Sequence, residues 1–340
     1  MRLRSVVVFL LAWASSAFFA SAQTPAAAAG ETASVPDGAS AATAVHQYHD
    51  HGIRDIDAIG TRNVGCGRGL GNWYSLEQQM AMGRDYSEQV ESTAKVIRDP
   101  EITEYVNRIG QNIVRNSDSQ VPFIIKVIDS DDINAFALPG GFFYMDAGLI
   151  VAADSEAELA GVMAHEIAHV AACHAARGHT RGQLMNLASI PLMMVGGPIG
   201  YVAYESLSVA MPLTYLRFSR RFETEADYLG VQYMYKAGYD PQALTAFFEK
   251  LRSFEHHKES AIAKAFRTHP QTPDRIERTK EEISSLLPPQ SEYKVDTSEF
   301  QDVKARLNQL QDRTRLRQGE VGRPTLRRRP HSASEDSHQD

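Results

Sequence analysis

The stretch Glu158-Leu-Ala-Gly-Val-Met-Ala-His-Glu-Ile-Ala-His-Val-Ala-Ala-Cys-His174 is apolar, rich in alanine and helical in composition, yet it carries several ionisable residues. Two of them, His165 and His169, are four residues apart. On a helix, such residues lie about 40° apart around the axis and about 6 Å apart along it, so both imidazoles can bind one metal ion. Zinc is the expected ion, because imidazole suits it and a catalytic zinc site keeps one position open for water.

Glu166 follows the first histidine and points to the neighbouring side of the same helix. There it can hydrogen-bond a water molecule at the metal without binding the metal, which is the position of a general base. A chain with 12 histidines can match H-E-x-x-H by accident. Two features argue against an accident: a capping box from Ser155 to Glu158 opens the helix, and buried ionisable residues need a partner such as a metal.

The composition is that of an ordinary globular protein, with 43% hydrophobic and 23% charged residues among 340. A chain of this length can bury one sizeable core or two small ones. The formal net charge of −7 gives no reason to expect nucleic acid as a partner, because a nucleic-acid-binding surface is usually basic.

The two ends of the chain differ from its middle. Residues 1–22 combine arginines, an apolar run and a small-residue ending, the pattern of a cleavable secretory signal peptide; a retained anchor is the alternative. We therefore expect export across the inner membrane, with the periplasm as the location. Residues 23–73 are predicted to be a flexible leader, 74–290 a single folded domain, and 291–340 a largely disordered charged tail.

Cys66 and Cys173 are the two cysteines of the chain, too few for a disulfide scaffold. Cys173 lies at the end of the metal-binding helix. A buried free thiol is therefore the predicted state, and a disulfide bond formed in an oxidising compartment is the alternative.

A small sheet is predicted just before the metal-binding helix. Residues 122–129 are rich in β-branched side chains and indicate a strand, and residues 134–146 form two apolar runs around Pro139, which indicates a hairpin. The predicted fold class is therefore α+β and mainly helical. The free edge of the strand before the helix could pair with an extended peptide and hold it over the metal.

Two histidines leave a zinc ion under-liganded, so a third ligand must come from elsewhere. His174 is one residue short of the spacing of a metzincin third histidine. A helical segment further on places Glu223 and Asp227 four residues apart on one face, where Glu223 could bind zinc and Asp227 could accept the outer N–H of a zinc-binding histidine. By this reasoning Glu225 remains an alternative to Glu223, unless it forms surface ion pairs with nearby arginines.

Four motifs in this order resemble a known family. In chain order they are Asn-Ala-Phe-Ala-Leu-Pro-Gly-Gly at 134–141, the HEIAH sequence at 165–169, the acidic pair within 221–227, and Thr-His-Pro at 268–270 followed by Arg275. Together they are similar to the gluzincin peptidases related to HtpX, BepA, the mitochondrial Oma protease and the CAAX prenyl endopeptidases, which form metallopeptidase family forty-eight. The resemblance covers roughly residues 75–285.

The resemblance implies a zincin-like metallopeptidase domain with an edge strand before the HExxH helix. It also implies a role for each site residue: His165, His169 and Glu223 as zinc ligands, Glu166 as general base, Asp227 as the supporting acidic residue, and His269 near the metal. Glu223 is thereby preferred to Glu225. His269 would either stabilise the oxyanion or occupy the open zinc position and keep the enzyme latent; a plain capped turn is the alternative.

The chain also departs from the family. Residues 184–204 lack charged residues, as in membrane-spanning relatives, but prolines and glycines interrupt them. A lid or amphipathic hairpin over the site is the first interpretation and membrane-surface contact the second, which weakens the prenyl-protease assignment. The tail lacks the helical-pair repeats found behind the BepA catalytic domain, and its arginines could touch anionic lipid or another protein.

Taken together, the sequence predicts a secreted zinc endopeptidase that hydrolyses misfolded or mis-assembled envelope proteins, with the substrates implied by the resemblance alone. Zinc would activate water, and Glu166 would carry its proton to the leaving amine. One alternative is a latent zinc-containing chaperone or scaffold that cleaves rarely, although the intact Glu166 argues against it. Another is an enzyme for small peptide-like substrates, which a narrow closed groove would favour.

Overall fold

The HEIAH sequence lies on a buried helix, and the elements around it combine helices with one small sheet. The computed structural model describes residues 50–195, 220–255, 269 and 273–321. In chain order the elements are α1 (Leu76–Thr93), α2 (Pro100–Arg115), β1 (Ile124–Ile128), β2 (Ala135–Leu138), a 3-10 turn (Pro139–Gly141), β3 (Phe142–Asp146), α3 (Ala147–Ala152), α4 (Glu156–Ala171), α5 (His174–Val195), α6 (Arg220–Lys236), α7 (Gln242–Glu255), α8 (Pro273–Leu286) and α9 (Ser298–Val321). The α+β, mainly helical fold class is confirmed.

The sheet has the strand order β1-β3-β2, with β1 parallel and β2 antiparallel to β3. The turn Pro139–Gly141 joins β2 to β3, so the predicted hairpin is confirmed. Gly140 and Gly141 have φ angles of 75° and 91°, and a Cβ on either would lie within 2.5 Å of backbone atoms, so the turn requires glycine. β2 is an edge strand that precedes α4, as expected.

α4 is the central helix of the fold. Ser155 caps it by accepting a hydrogen bond from the backbone N–H of Glu158 at 3.2 Å. The Glu158 carboxylate accepts from the N–H of Asp154 at 2.8 Å, one residue away from the partner that a regular capping box would give it. α2, α6, α7 and β2 pack around α4, and every residue of the helix except Val162 is buried. An all-round buried helix explains the alanine-rich composition.

α6 approaches the HEIAH sequence closely because it carries a glycine at the crossing. A Cβ on Gly230 would lie 3.3 Å from the Cα and the backbone N of His165, tighter than ordinary van der Waals contact. The missing side chain therefore lets the two backbones approach. As a result, the acidic residues one and two turns earlier on α6 face α4.

The N-terminal boundary of the ordered domain differs from the prediction. Residues 50–73 were expected to belong to a flexible leader, but they pack on the domain. Arg62 forms an ion pair with Asp118, Nη2 to Oδ2 at 2.6 Å, with side chains 1% and 0% exposed. Arg62 also donates to Gln232 on α6 at 2.7 Å. The leader prediction is wrong from residue 50, because this segment docks through the buried contacts of Arg62 and through Val64, which lies in the hydrophobic core. Residues 23–49 lie outside the described residues.

The C-terminal boundary differs as well. Residues 291–321 were assigned to a largely disordered tail, but Lys294 pairs with the backbone after α6 and α9 follows. Phe300, Val303 and Leu307 of α9 are fully buried, and α9 packs against α2 and α3. The tail prediction is wrong up to residue 321, because these three apolar residues repeat at helical spacing among many charged ones.

The two cysteines form a disulfide bond, so the predicted free thiol is wrong. Docking of the N-terminal segment brings Cys66 to the end of α4, where its Cα lies 5.1 Å from that of Cys173. Cys173 has φ of 52° and ends α4 in the left-handed region before α5 begins. The disulfide therefore ties residues 50–73 to the end of α4.

The uncharged segment 184–204 is described only in part. α5 continues to Val195, and the remainder, with the predicted lid or hairpin, lies outside the described residues, as does the predicted signal peptide. Within the ranges that the structure describes, no helix is both long enough and apolar enough to cross a bilayer.

Replacing Arg62 with methionine should lower the free energy of unfolding by about 3–5 kcal/mol, because the Asp118 carboxylate would stay buried without its counter-charge. Urea denaturation followed by circular dichroism measures the loss. Lys95→Met is the matched control, since Lys95 is largely exposed in its ion pair with Asp129 and should contribute about 0–1 kcal/mol. Equal effects of the two substitutions would contradict docking of the N-terminal segment through Arg62.

Candidate metal centre

Side chains from three parts of the chain converge on one point beside α4. His165 and His169 lie one turn apart on α4, with their Nε2 atoms 3.1 Å apart. Glu223 of α6 places its carboxylate oxygens 3.5 Å from Nε2 of His165 and 3.6 Å from Nε2 of His169. With His269, these residues offer ligand atoms that all lie within 4.8 Å of one another. The structure thus brings together the residues that the sequence predicted as ligands.

The outer nitrogen of His165 is held by the acidic residue expected for that role. Nδ1 of His165 lies 2.9 Å from Oδ1 of Asp227, one turn after Glu223 on α6. Arg275 of α8 donates to both oxygens of Asp227 at 2.7 Å and lies 3.1 Å from Glu223. Because Asp227 is fixed from behind, it can keep His165 in the tautomer that offers Nε2 to a metal.

The outer nitrogen of His169 has a support that the sequence did not suggest. Its Nδ1 lies 2.9 Å from Nδ1 of His174, the first residue of α5. Nε2 of His174 lies 3.4 Å from Glu225, which also pairs with both terminal nitrogens of Arg177 at 3.1 and 3.2 Å. When His169 offers Nε2 to a metal, its Nδ1–H donates to His174, whose Nε2–H donates to Glu225.

These contacts separate the two glutamates that sequence reasoning left open. Glu223 faces the convergence point, whereas Glu225 binds His174 and Arg177. Residues two apart on a helix project about 200° apart, so only one of the two can face the centre. The sequence contained a signal that could have predicted the contact between His174 and His169. His174 follows His169 by five residues, directly after the cysteine that ends α4.

The electrostatics of the cluster favour a bound cation. Burial disfavours the charged form of His165, but the carboxylates of Asp227 and Glu223 outweigh it and raise its pKa to about 9. Burial likewise opposes ionisation of Glu223, yet His269, His165 and His169 hold its pKa well below the usual value. The carboxylates therefore stay ionised and attract positive charge.

His169 and its neighbour His174 are kept neutral. Burial lowers the pKa of His169 well below its usual value and also lowers that of His174. A neutral imidazole is the form that binds a metal, and a neutral His174 can accept the hydrogen bond of His169. For Glu225, burial raises the pKa, but the hydrogen bonds of His174 and Arg177 outweigh it and lower the value to about 2.

Glu166 lies between the cluster and the edge strand. Its Oε2 accepts the backbone N–H of Ala137 on β2 at 3.2 Å, and its Oε1 lies 3.4 Å from Nε2 of His269. Burial raises the pKa of Glu166. A raised pKa brings a carboxylate closer to the range in which it can both take up and release a proton near neutral pH.

His269 lies within the cluster. Its Nδ1 is 3.0 Å from both carboxylate oxygens of Glu223 and 3.4 Å from Nε2 of His165. The imidazole of His269 therefore lies within hydrogen-bond distance of the proposed ligand atoms. A residue that only caps a turn would not need to approach them so closely. Both site roles that the sequence left open, fourth ligand and oxyanion stabiliser, need such proximity.

The donor set fits a zinc ion. Imidazole nitrogens and a carboxylate oxygen are ligands that zinc accepts, and three protein ligands with an open position describe a catalytic zinc site. The outer nitrogens of His165 and His169 are already occupied by Asp227 and His174, so their Nε2 atoms are directed inward. His165, His169 and Glu223 could therefore hold the metal, with His269 able to reach the remaining position.

Comparison with known proteins identifies the family. A sequence model of peptidase family M48 matches residues 98–283, more than half of the chain, so the chain belongs to that family. The beta-barrel assembly-enhancing protease of Escherichia coli (strain K12) is 33% identical over 230 residues, which are 65% of this chain and 47% of that protein. The mitochondrial metalloendopeptidase OMA1 of Schizosaccharomyces pombe is 32% identical over 206 residues, 58% of this chain and 56% of that protein.

A further relative, the metalloprotease LoiP of Escherichia coli (strain K12), is 26% identical over 238 residues, 69% of this chain and 92% of LoiP. These matches confirm the resemblance to the BepA and Oma branch, and the family assignment confirms the enzyme class, a metalloendopeptidase. The chain spans about half the length of the beta-barrel assembly-enhancing proteases that it matches, 47% in the Escherichia coli protein.

His174→Phe should lower the affinity for zinc about 10- to 100-fold, because it removes the acceptor of His169 Nδ1–H. The new ring can still stack on Phe222, whose centroid lies 4.4 Å from that of His174. Competition with a chelator measures the affinity. His179→Phe is the control, because His179 lies on the same helix and packs edge-on to Tyr74. Unchanged affinity in His174→Phe would remove the proposed support of His169.

Proposed function

We propose that the chain is a zinc-dependent endopeptidase in which His165, His169 and Glu223 hold the metal. The observation that carries the proposal is the position of Glu166, buried between this cluster and the free edge of β2. When bound, zinc polarises the scissile carbonyl and makes water a stronger acid. The chain supplies the remaining functions: a base, a surface that orients the peptide, and groups that fix the ligands.

Glu166 is the proposed general base. It takes a proton from the attacking water and returns it to the nitrogen of the departing amine, so no covalent intermediate with the protein is needed. Its raised pKa, caused by burial, suits both steps. Asp227 and Arg275 act at a distance from the peptide by fixing the ring of His165.

The edge of β2 is the proposed substrate surface. Ala137 directs its N–H away from β3 and toward Glu166, so this side of β2 faces the site rather than a neighbouring strand. An extended peptide that pairs with this edge would pass beside Glu166 and the ligand cluster. A strand edge that can pair with an extended chain supports protein or peptide substrates over small peptide-like molecules.

The proposed location is the periplasm, and the proposed substrates are misfolded or mis-assembled envelope proteins. The Cys66–Cys173 disulfide supports an oxidising compartment, in agreement with the predicted signal peptide. The printed name of the Escherichia coli relative links that protein to beta-barrel assembly, which supports envelope proteins as substrates. Contact of 184–204 with a membrane surface stays a prediction, and nucleic acid is not an expected partner.

A latent state is the second candidate function, and the position of His269 favours it. Its Nδ1 lies as close to Glu223 as a ligand atom would, and it could fill the position that water needs. A chain in that state would hold zinc without cleaving, as a chaperone or scaffold for envelope proteins.

Glu166→Gln should retain one zinc ion per chain and lose at least about 10²-fold in the rate of casein cleavage, because the amide cannot take a proton from water. Cleavage is followed by gel electrophoresis and zinc by elemental analysis on the same samples. Glu158→Gln is the matched control on α4, since it retains an acceptor for the N–H of Asp154. Zinc-loaded wild type that does not cleave would support the latent state, and an active Glu166→Gln would refute the proposed base.

His269→Ala separates the two proposed roles of this histidine. We expect several-fold faster casein cleavage, because removal of Nδ1 from the cluster would free a position at the metal. His179→Ala serves as the control for loss of a histidine elsewhere. Slower cleavage with unchanged zinc content would instead assign His269 to stabilisation of the oxyanion.

A further inference from the structure

A tight turn before α1 exposes an apolar side chain at its tip. Gly69 and Asn72 pair through two backbone hydrogen bonds of 2.8 and 3.1 Å, so that Leu70 and Gly71 form the tip of the turn. Leu70 is 88% exposed, the highest value among the large apolar side chains of the described residues. Single exposed apolar side chains are common on protein surfaces, so the role of Leu70 depends on what surrounds it.

The base of the turn is fixed on the folded domain. The side chain of Asn72 is buried and donates to the backbone carbonyl of Cys66 at 3.1 Å. Cys66 is bonded to Cys173, and the backbone N–H of Trp73 donates to the buried hydroxyl of Thr180 on α5 at 3.0 Å. Because the base is held on both sides of the tip, little conformational entropy would be lost when the tip meets a partner.

Two further apolar side chains extend this exposed surface. Trp73 follows the turn directly and is 36% exposed. Leu184 is 40% exposed and lies on α5 one helical turn after Thr180, which binds the backbone of Trp73. Its neighbour Gln183 donates to the hydroxyl of the tyrosine that follows Trp73, at 2.8 Å. Leu70, Trp73 and Leu184 thus form one exposed surface, which we name the turn surface.

The segments that build the turn surface lack acidic residues. The chain carries 42 Asp and Glu among 340 residues, yet none occurs in 58–76 or in 167–204. Arg68 precedes the turn, Arg181 lies on α5 one turn before Leu184, and both are exposed. Glu77 at the start of α1 lies near Arg68. These two segments therefore carry positive charge, although the formal net charge of the chain is −7.

An anionic lipid bilayer fits these features better than a protein partner does. A leucine at the tip of a turn can enter the acyl region, and tryptophan is favoured at the boundary between acyl chains and water. Arginines near the bilayer gain from anionic headgroups. A stable protein interface buries about 800 Å² on each side, which is more than three side chains supply when two of them are less than half exposed.

We propose that the turn surface docks the protein on an anionic phospholipid bilayer. Leu70 enters the acyl region, Trp73 lies at the level of the headgroups, and Arg68 and Arg181 attract them. The segment 184–204, for which membrane contact was predicted, begins at this surface. Docking does not depend on the proposed endopeptidase function, because these residues lie outside the ligand cluster.

Docking would bring the candidate metal centre to the bilayer. Cys66, whose carbonyl holds the base of the turn, is bonded to Cys173, and Cys173 follows His169 by four residues. A protein exposed at the membrane surface would then lie within reach of the edge strand β2. This consequence, unlike the docking itself, rests on the proposed function and agrees with envelope proteins as substrates.

Tryptophan fluorescence tests the insertion directly, because Trp13 and Trp73 are the two tryptophans of the chain. In a Trp13→Phe background the emission comes from Trp73 alone, whatever becomes of the predicted signal peptide. Vesicles of phosphatidylcholine and phosphatidylglycerol should shift this emission to shorter wavelength, and brominated acyl chains should quench it. Unchanged emission, or a shift with an unfolded polypeptide free of tryptophan but not with vesicles, would overturn the inference.

Leu70→Gln should weaken binding to these vesicles about tenfold or more, because the leucine side chain no longer leaves water. Vesicle co-sedimentation measures the affinity. Val295→Gln is the matched control: Val295 is 50% exposed, and its carbonyl binds the start of α4, at the opposite end of that helix from Cys173. Since Leu70 is exposed, the urea midpoint should stay unchanged. Equal vesicle affinity of Leu70→Gln and wild type would contradict the assignment of the tip.

The charge dependence is tested with the double variant Arg68→Gln and Arg181→Gln. Wild type should bind vesicles that contain phosphatidylglycerol about tenfold or more tightly than vesicles of phosphatidylcholine alone, and the double variant should lose most of this difference. Equal affinity of the wild type for the two lipids would refute docking on an anionic surface. Vesicle binding without casein cleavage would leave the turn surface standing and count against the proposed endopeptidase activity alone.

Discussion

The structure depends on the burial of ionisable groups inside an apolar, alanine-rich helix. His165, Glu166 and His169 are each no more than 4% exposed. Groups of this kind cannot be buried without partners, because loss of hydration would force them to the neutral form or unfold the helix. Two of the neighbouring elements supply such partners. α6 brings Glu223 and Asp227, and β2 brings the N–H of Ala137. A bound metal ion would be a further partner for these buried groups.

The partners are themselves fixed by longer chains of contacts. Arg275 on α8 holds Asp227, and Arg177 on α5 holds Glu225. The two histidines of the HEIAH sequence are therefore supported by two separate pairs of an arginine and a carboxylate. The second pair stands next to the disulfide that ties residues 50–73 to the end of α4. The N-terminal segment is thus held at two points, by this disulfide and by the buried ion pair of Arg62 with Asp118.

Local signals predicted much of this arrangement. Residue spacing predicted the helix with its N-cap, the hairpin, and the segment that carries the acidic pair, because each depends on neighbours in sequence. The disulfide joins residues 107 positions apart. It could not be predicted from local patterns, because they do not indicate which distant segment packs against the end of a helix. The choice between Glu223 and Glu225 required the rotation of α6 about its axis, which packing against α4 sets. α9 is different: Phe300, Val303 and Leu307 signalled an amphipathic helix, but abundant charges concealed it.

The two sides of the candidate site are formed by different kinds of structure. The residues proposed to bind metal are therefore separate from those proposed to contact the substrate. On one side, helices carry His165, His169 and Glu223, the proposed metal ligands. On the other side lie an edge strand and His269, which is not part of a helix. Glu166 is the residue shared by both sides, since it extends from the metal-binding helix to the backbone of β2. A peptide paired with β2 would therefore meet Glu166 in a position set by the helix that also carries His165 and His169.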